Sequence, residues 1–170
     1  SPLADNLCLI LYIEKYDIWS SYRPANEGIF IAYASVYGHT KAVAEKLKEV
    51  LEAKGAPKVF IADLARDDMA EAVEDAFRYD RLVLASITYD AGIFPVMESF
   101  IAHLKSKNYQ NRKVGFIENG SWAPIAAKKM RAELEGLKDI TFMNNVVSIK
   151  SAMKDADVKQ IEALADELLA

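Results

Sequence analysis

Short apolar segments and amphipathic segments alternate five times along this chain, and this alternation most constrains its fold. Buried parallel strands are typically continuous apolar runs, and helices that cover them carry apolar residues every three or four positions. The strands are predicted near 29–34, 57–62, 81–86, 113–118 and 140–149. The helices are predicted near 39–54, 67–78, 95–107, 123–136 and 154–169. Five such units predict an α/β fold with a parallel sheet covered by helices on both faces.

The predicted helices each have one apolar face, as expected for helices that pack on a sheet. The residues predicted to be buried are Val43, Ala44, Leu47, Val50 and Leu51 in the first helix, Val96, Phe100, Ile101 and Leu104 in the third, and Val158, Ile161, Leu164, Ala165 and Leu168 in the fifth. Helix starts are marked by Asp67-Asp68, by Pro95, by Pro124 after Ser121, and by Asp155.

Composition excludes several classes of function. The chain has 170 residues, 21 of them basic and 25 acidic, and no basic stripe, so nucleic acid is not an expected partner. No segment reaches the roughly 18 apolar residues of a membrane span, and no signal peptide is recognisable. Cys8 is the single cysteine and cannot form an internal disulfide, which fits a reducing compartment. A cytoplasmic protein without membrane or nucleic-acid partners is therefore expected.

A hydroxyl-rich turn, Ser35-Val36-Tyr37-Gly38-His39-Thr40, lies between the first strand and the first helix. Unpaired N–H groups and the positive end of the helix dipole favour an anion at such a position. Ser35 and Thr40 add side-chain donors, and Gly38 lets the backbone approach closely. The turn predicts a phosphate site, although the same residue types also build ordinary strand-to-helix turns.

The turn also excludes two common nucleotide sites. It lacks the lysine-containing loop that holds a triphosphate and the three-glycine fingerprint of dinucleotide-binding folds. A phosphate held without a cationic side chain indicates a phosphate monoester on a larger ligand.

The loops after strands three and four carry the other unusual residues. In open parallel sheets, ligands bind beyond the carboxyl ends of the strands, where the strand order reverses. Thr88 is a hydrogen-bond donor, Tyr89 offers an aromatic face, and the peptides of Asp90 to Gly92 can bond a heterocycle. The fourth strand is followed by the permissive turn Asn119-Gly120 and by Trp122. Together the three loops predict a mononucleotide-type cofactor with a stacked ring.

With these motifs the chain resembles the flavodoxin-like family, and more closely the flavodoxin domain of flavodiiron proteins. The resemblance covers about residues 29–170 and rests on the motifs at 35–40, 88–95 and 120–122. It implies a five-stranded doubly wound sheet in the order 2-1-3-4-5, with FMN as the cofactor. It places the phosphate at Ser35, Val36, Tyr37, Gly38, His39 and Thr40, one side of the ring at Thr88, Tyr89, Asp90, Ala91 and Gly92, and the other at Asn119, Gly120, Ser121 and Trp122.

Residues 1–28 strengthen the narrower resemblance. A helix apolar on most sides is predicted at 7–22, followed by a linker. They resemble the closing helix and linker of the metallo-β-lactamase-like diiron domain that precedes the flavodoxin domain in flavodiiron proteins. His39 and His103 are the only histidines, so this chain is not expected to hold a diiron site.

The resemblance implies electron transfer to a diiron site that reduces dioxygen or nitric oxide in a parent flavodiiron protein. The implied partners are the diiron domain of the same parent chain or of a dimer mate, and a rubredoxin-like or reductase electron donor. The apolar helix 7–22 favours a homodimer. No catalytic acid or base and no metal ligand is assigned.

Three alternatives remain open from the sequence. A stand-alone FMN-dependent NAD(P)H quinone reductase would need an open pocket over the flavin, and a free flavodoxin would need only the three loops. A regulatory phospho-receiver would need acidic residues where the first strand ends, but Ala34-Ser35 occupies that position. Lys150 after the fifth strand is the one receiver-like element.

Overall fold

The computed structural model describes residues 26–35, 38–89, 92–120, 125–150 and 153–170. The predicted helix at 7–22 and the linker to residue 25 lie outside these described residues. So do Val36, Tyr37, Asp90, Ala91, and the segment 121–124, which contains Ser121, Trp122 and Pro124.

Seven strands and five helices make up the described part of the chain. The strands are β1 (Asn26–Tyr33), β2 (Val59–Asp63), β3 (Tyr79–Tyr89), β4 (Gly92–Ile93), β5 (Arg112–Asn119), β6 (Ile140–Phe142) and β7 (Val147–Ile149). The helices are α1 (His39–Ala53), α2 (Met69–Arg78), α3 (Pro95–Ser106), α4 (Ala126–Leu134) and α5 (Asp155–Leu169).

The strands form one sheet in the order β2-β1-β3-β5-β6, with β7 also paired to β5 and β4 paired to β3. Every ladder is parallel except the short antiparallel β3–β4 pair. Counted by strand–helix unit, with β6 and β7 as one interrupted fifth strand, the order is 2-1-3-4-5. The flavodoxin-like doubly wound sheet expected from the resemblance is therefore confirmed.

The fifth strand differs from its prediction as one continuous strand at 140–149. Its two halves pair with opposite ends of β5, and residues 143–146 interrupt it. The N–H groups of Asn144 and Asn145 donate instead to the Glu167 carboxylate of α5, both at 2.8 Å. Because backbone groups need partners, this carboxylate makes the break possible.

The helices cover both faces of the sheet, as predicted. Alternate residues of β1 point to opposite faces: Phe30 and Ala32 pack with α2, α3 and α4, whereas Ile29 and Ile31 pack with α1 and α5. Each predicted apolar face is buried except at its margins, where Val50, Val96 and Val158 are half-buried.

Three predicted helix starts agree with the structure and one is displaced. The Asp68 carboxylate caps α2 by accepting from the N–H of Ala70 at 2.9 Å. Helix α3 begins at Pro95 and α5 at Asp155. Helix α4, predicted from 123, begins at Ala126, because its first N–H groups bond to side chains of neighbouring strands rather than to a cap in its own sequence.

The buried Arg112 bonds to backbone carbonyls near the amino ends of β3 and β5. The Arg112 guanidinium donates to the carbonyls of Tyr79 at 3.0 Å, Phe77 at 2.7 Å and Gln110 at 2.6 Å. It also lies against the ring of Tyr109, 5.4 Å from the ring centroid. Arg112 thereby satisfies carbonyls that would otherwise be buried without a donor.

Candidate functional site

Three predicted loops meet at one edge because β1, β3 and β5 are adjacent parallel strands. Ser35, Thr88 and Asn119 lie at or just beyond the carboxyl ends of these strands. The connection from β1 leads to α1 on one face, whereas that from β3 leads to α3 on the other face. This divergence creates the crevice at which ligands bind in open α/β sheets.

A side-chain hydrogen bond joins the two described residues that flank positions 36 and 37 of the first loop. The N–H of Gly38 donates to Ser35 Oγ at 3.0 Å. Gly38 has a φ of 83°, in the left-handed region that glycine adopts without strain, and α1 begins at the next residue. Gly38 therefore supplies the left-handed backbone conformation from which the chain enters α1.

Among the described residues the N-terminus of α1 has no side-chain cap, and its first turn contains no acidic residue. The first N–H groups of a helix lack intrahelical acceptors, and the helix dipole adds partial positive charge there. His39, the first helical residue, is solvent-exposed. Such an end suits an anionic group supplied from outside the helix.

Thr40 provides the most specific signal in the first loop. Its side chain is 1% exposed, and its Oγ1 has no hydrogen-bond partner among the described residues. A buried hydroxyl without a partner costs about 1–3 kcal/mol, and such groups are rare in folded proteins. An oxygen-rich ligand at the α1 N-terminus would supply the missing acceptor, so the residues present fit a phosphate group.

A tyrosine flanks this loop at the end of β1. Burial raises the pKa of Tyr33 to about 12, with further increases from the carboxylates of Asp63 and Glu45. The phenol is therefore neutral at physiological pH and adds no charge beside the loop.

The second loop begins in a hairpin. Thr88 pairs with Ile93 and Tyr89 with Gly92, in antiparallel register. Thr88 Oγ1 accepts hydrogen bonds from the N–H groups of Ile125 at 3.1 Å and Ala126 at 3.3 Å. The Thr88 hydroxyl, which is predicted to contact a ligand, thus accepts hydrogen bonds from the start of α4. Its proton can still be donated to a ligand.

The third loop leaves β5 through buried residues. Asn119 is buried, and Gly120 donates its N–H to the Ile149 carbonyl at 3.0 Å. Before them, the buried Glu118 accepts from the N–H of Ala127 at 3.0 Å. Sequence reasoning did not identify Glu118; the signal was a carboxylate at the end of the otherwise apolar run Val114–Ile117.

The structure thus brings Ser35, Gly38, His39, Thr40, Thr88, Asn119 and Gly120 to one edge of the sheet. The roles of Val36, Tyr37, Asp90, Ala91, Ser121 and Trp122, and of the side chain of Tyr89, stay predictions, since those positions lie outside the described ones. Gly92 is described only through its pairing in β4.

Two other features are absent from the described ranges. No group of three or more His, Cys, Asp or Glu side chains there is arranged to hold a metal ion. No helix there is both long and apolar enough to cross a bilayer. A depression of about 280 Å³ lies at the amino ends of the strands, beside Asp80 and Asp139, away from the three loops.

Residues 30–144 match the family described as Flavodoxin domain. No curated protein sequence matches the chain at a significant level. Rubredoxin oxygen:oxidoreductase from Desulfovibrio gigas is a similar solved structure, with 20% identity and a TM-score of 0.86 over 94% of this chain. The flavodiiron protein from Giardia intestinalis shares 16% identity, with a TM-score of 0.79 over 94% of this chain.

Flavodoxin 1 from Bacillus cereus shares 16% identity, with a TM-score of 0.72 over 85% of this chain and 97% of its own. The chain spans only 39% of the length of each of the two longer proteins. At these identities the likeness to solved structures concerns the fold.

Proposed function

The chain belongs to the flavodoxin domain family, and on that premise we propose that it binds one FMN without a covalent bond and transfers electrons. The observation that carries the proposal is the buried Thr40 hydroxyl, which lacks a partner among the described residues, at the uncapped N-terminus of α1. When bound, FMN supplies the redox chemistry, while the protein supplies position and electrostatics.

The phosphate end of FMN is assigned to the first loop. Thr40 Oγ1 and the Ser35 hydroxyl donate to phosphate oxygens, and the first N–H groups of α1 add donors along the helix axis. The assigned donors are neutral, so the helix dipole supplies a favourable electrostatic contribution to phosphate binding.

The ring of FMN is assigned to the second and third loops. Thr88, Tyr89, Asp90, Ala91 and Gly92 line one side, and Asn119, Gly120, Ser121 and Trp122 line the other. The described backbone supports this assignment, because β3 and β5 are neighbours and their last paired residues, Ile87 and Asn119, are in register.

For the electron acceptor we propose the diiron site of a parent flavodiiron protein, reached in the same chain or in a dimer mate. Structural similarity to the Desulfovibrio gigas protein extends over 94% of this chain, against 85% for the Bacillus cereus flavodoxin. A rubredoxin-like protein or a reductase would supply the electrons. The domain division at residue 28 belongs to the same proposal.

The test of the cofactor is an absorption spectrum of the 170-residue chain after FMN addition and desalting. We expect the chain to retain the flavin absorption bands and the flavin fluorescence to be quenched, since stacking on an aromatic side chain quenches flavin fluorescence. Complete loss of FMN from the folded chain would overturn the proposal and favour a regulatory module.

The test of the role is steady-state oxidation of NAD(P)H with a quinone by the FMN-loaded chain. An electron-transfer module should show no sustained turnover, because such turnover requires an open pocket for NAD(P)H and quinone over the flavin. Steady turnover would instead support the stand-alone quinone reductase.

A further inference from the structure

Helix α4 is capped by two side chains that come from neighbouring strands. Thr88 of β3 accepts from the N–H groups of Ile125 and Ala126, and Glu118 of β5 accepts from that of Ala127. The residue at the N-cap position is Ile125, whose side chain has no acceptor. Three successive N–H groups are therefore satisfied by tertiary rather than local contacts.

The position of Glu118 makes its carboxylate an unusual cap. Glu118 is 9% exposed and pairs with Ser86 of β3 on one side and Ser148 of β7 on the other. A carboxylate in such a position is unfavourable unless hydrogen bonds and a compensating field offset its desolvation. The N-terminus of α4 supplies both, through the Ala127 N–H group and the helix dipole.

These contacts fix both ends of the connection that follows β5. At its start, Gly120 donates to the carbonyl of Ile149. At its finish, Ile125 is bonded to Thr88, which also belongs to the β3–β4 hairpin of the second loop. The second loop and the end of the third loop are therefore joined through one hydroxyl.

We propose that Thr88 and Glu118 are positioning residues, which set the distance between the two flavin-flanking loops by holding the N-terminus of α4. The inference rests on the proposed FMN function and adds to it the residues that define the width of the ring site. Thr88 acts through its acceptor lone pairs and Glu118 through Ala127, so Glu118 needs no contact with the ring.

The experiment compares wild type with Thr88→Val, which keeps the side-chain shape but removes the acceptor, and with Glu118→Leu. Thr88→Ser is the conservative rescue. Asp68→Ala is the matched control, because it removes a comparable cap from α2, outside the three loops. Each chain is measured for amide hydrogen exchange without FMN, for FMN Kd, and for the visible circular dichroism of bound flavin.

In Thr88→Val and Glu118→Leu, exchange at residues 125–127 should accelerate, and the FMN Kd should rise about tenfold, as expected for one lost buried hydrogen bond. The visible dichroism should change shape, since it reports ring geometry. Asp68→Ala should keep both FMN properties within about twofold of wild type, and Thr88→Ser, which retains the acceptor, should lose less affinity than Thr88→Val. The double variant Thr88→Val/Glu118→Leu should lose less FMN-binding free energy than the sum of the losses in the two single variants, because both residues act through the N-terminus of α4.

Two failures are distinguishable. If the wild type binds no FMN, the proposed function falls and the inference falls with it. If the wild type binds FMN but Glu118→Leu matches Asp68→Ala in Kd and dichroism, the positioning roles alone are overturned, even where Thr88→Val weakens binding, because Thr88 also lines the proposed ring site. In that second case faster exchange at residues 125–127 would show that the caps serve only folding.

Discussion

Ser35 and Gly38 are joined by a 3.0 Å hydrogen bond in which the glycine N–H donates to the serine hydroxyl oxygen. The bond uses an acceptor lone pair of Ser35 and leaves the hydroxyl proton free to donate. It also holds Gly38 at the left-handed backbone angle from which α1 starts. Ser35 and Gly38, the described residues on either side of this turn, are thus linked without a ligand.

Thr40→Val should weaken FMN binding without destabilising the ligand-free chain. The substitution removes a buried hydroxyl that has no partner in the described structure, so the thermal midpoint without FMN should stay equal or rise. The FMN Kd should increase by about tenfold or more, through one lost phosphate contact. Calorimetry and fluorescence titration measure the two effects, and Thr40→Ser should retain binding. An unchanged Kd in Thr40→Val would remove Thr40 from the phosphate site.

Gly38→Ala and Gly55→Ala form a matched pair at the two ends of α1. Both glycines have positive φ, and a Cβ at either would meet no described residue within 4 Å. Each variant should lose about 1 kcal/mol of unfolding free energy from backbone strain alone. Only Gly38→Ala should also weaken FMN binding, because only that turn lies at the proposed phosphate site. Equal Kd values in the two variants would contradict this assignment.

The fold was predictable from the sequence because its signals are local. Apolar runs and helical periodicity sit within each element, and Asp68 and Pro95 mark helix starts by short-range chemistry. The break in the fifth strand was not predictable. Its cause is Glu167, which lies 22 residues after Asn145 in sequence and contacts it only in the folded chain.

Less of the candidate site than of the fold was predictable from the sequence. The loops that carry Ser35, Thr88 and Asn119 were recognisable by residue type, and the sheet order brings them to one edge. The bond between Thr88 and α4 spans 37 residues, so no sequence pattern reveals it. The Glu118 cap also depends on how α4 packs against β5, which only the tertiary structure defines.

Arg112→Met should be among the most damaging substitutions in the sheet. It removes the donors to the carbonyls of Phe77, Tyr79 and Gln110, each part of a buried, charged hydrogen-bond network. The expected loss is about 3 kcal/mol or more in unfolding free energy, measured by urea titration. Arg131→Met is the control, because Arg131 is exposed and its pair with Glu135 is long, at 3.6 Å. A loss below about 1 kcal/mol in Arg112→Met would show that these carbonyls find other donors.

Glu167→Gln should show a pH-dependent loss of stability. Burial alone would raise the pKa of Glu167, but the N–H groups of Asn144 and Asn145 and their side chains lower it below its usual value. A lowered folded-state pKa adds stability that is present above the unfolded pKa, near 4.3, and is lost as pH falls through the folded value. Because solvent screens this group, the expected difference at pH 7 is below about 1 kcal/mol. Unfolding titrations at pH 7 and pH 3 measure it, and a gap that persists at pH 3 would contradict the charge-based explanation.

The interrupted fifth strand also bears on self-association. A sheet edge with a long row of free N–H and carbonyl groups invites pairing with another chain. At this edge the described strands β6 and β7 are three residues each, and the Asn144 and Asn145 N–H groups between them are already bonded within the molecule. A foreign strand would find no continuous ladder to extend. By accepting from these two N–H groups, Glu167 removes them from the row of free backbone groups that a second chain could pair with.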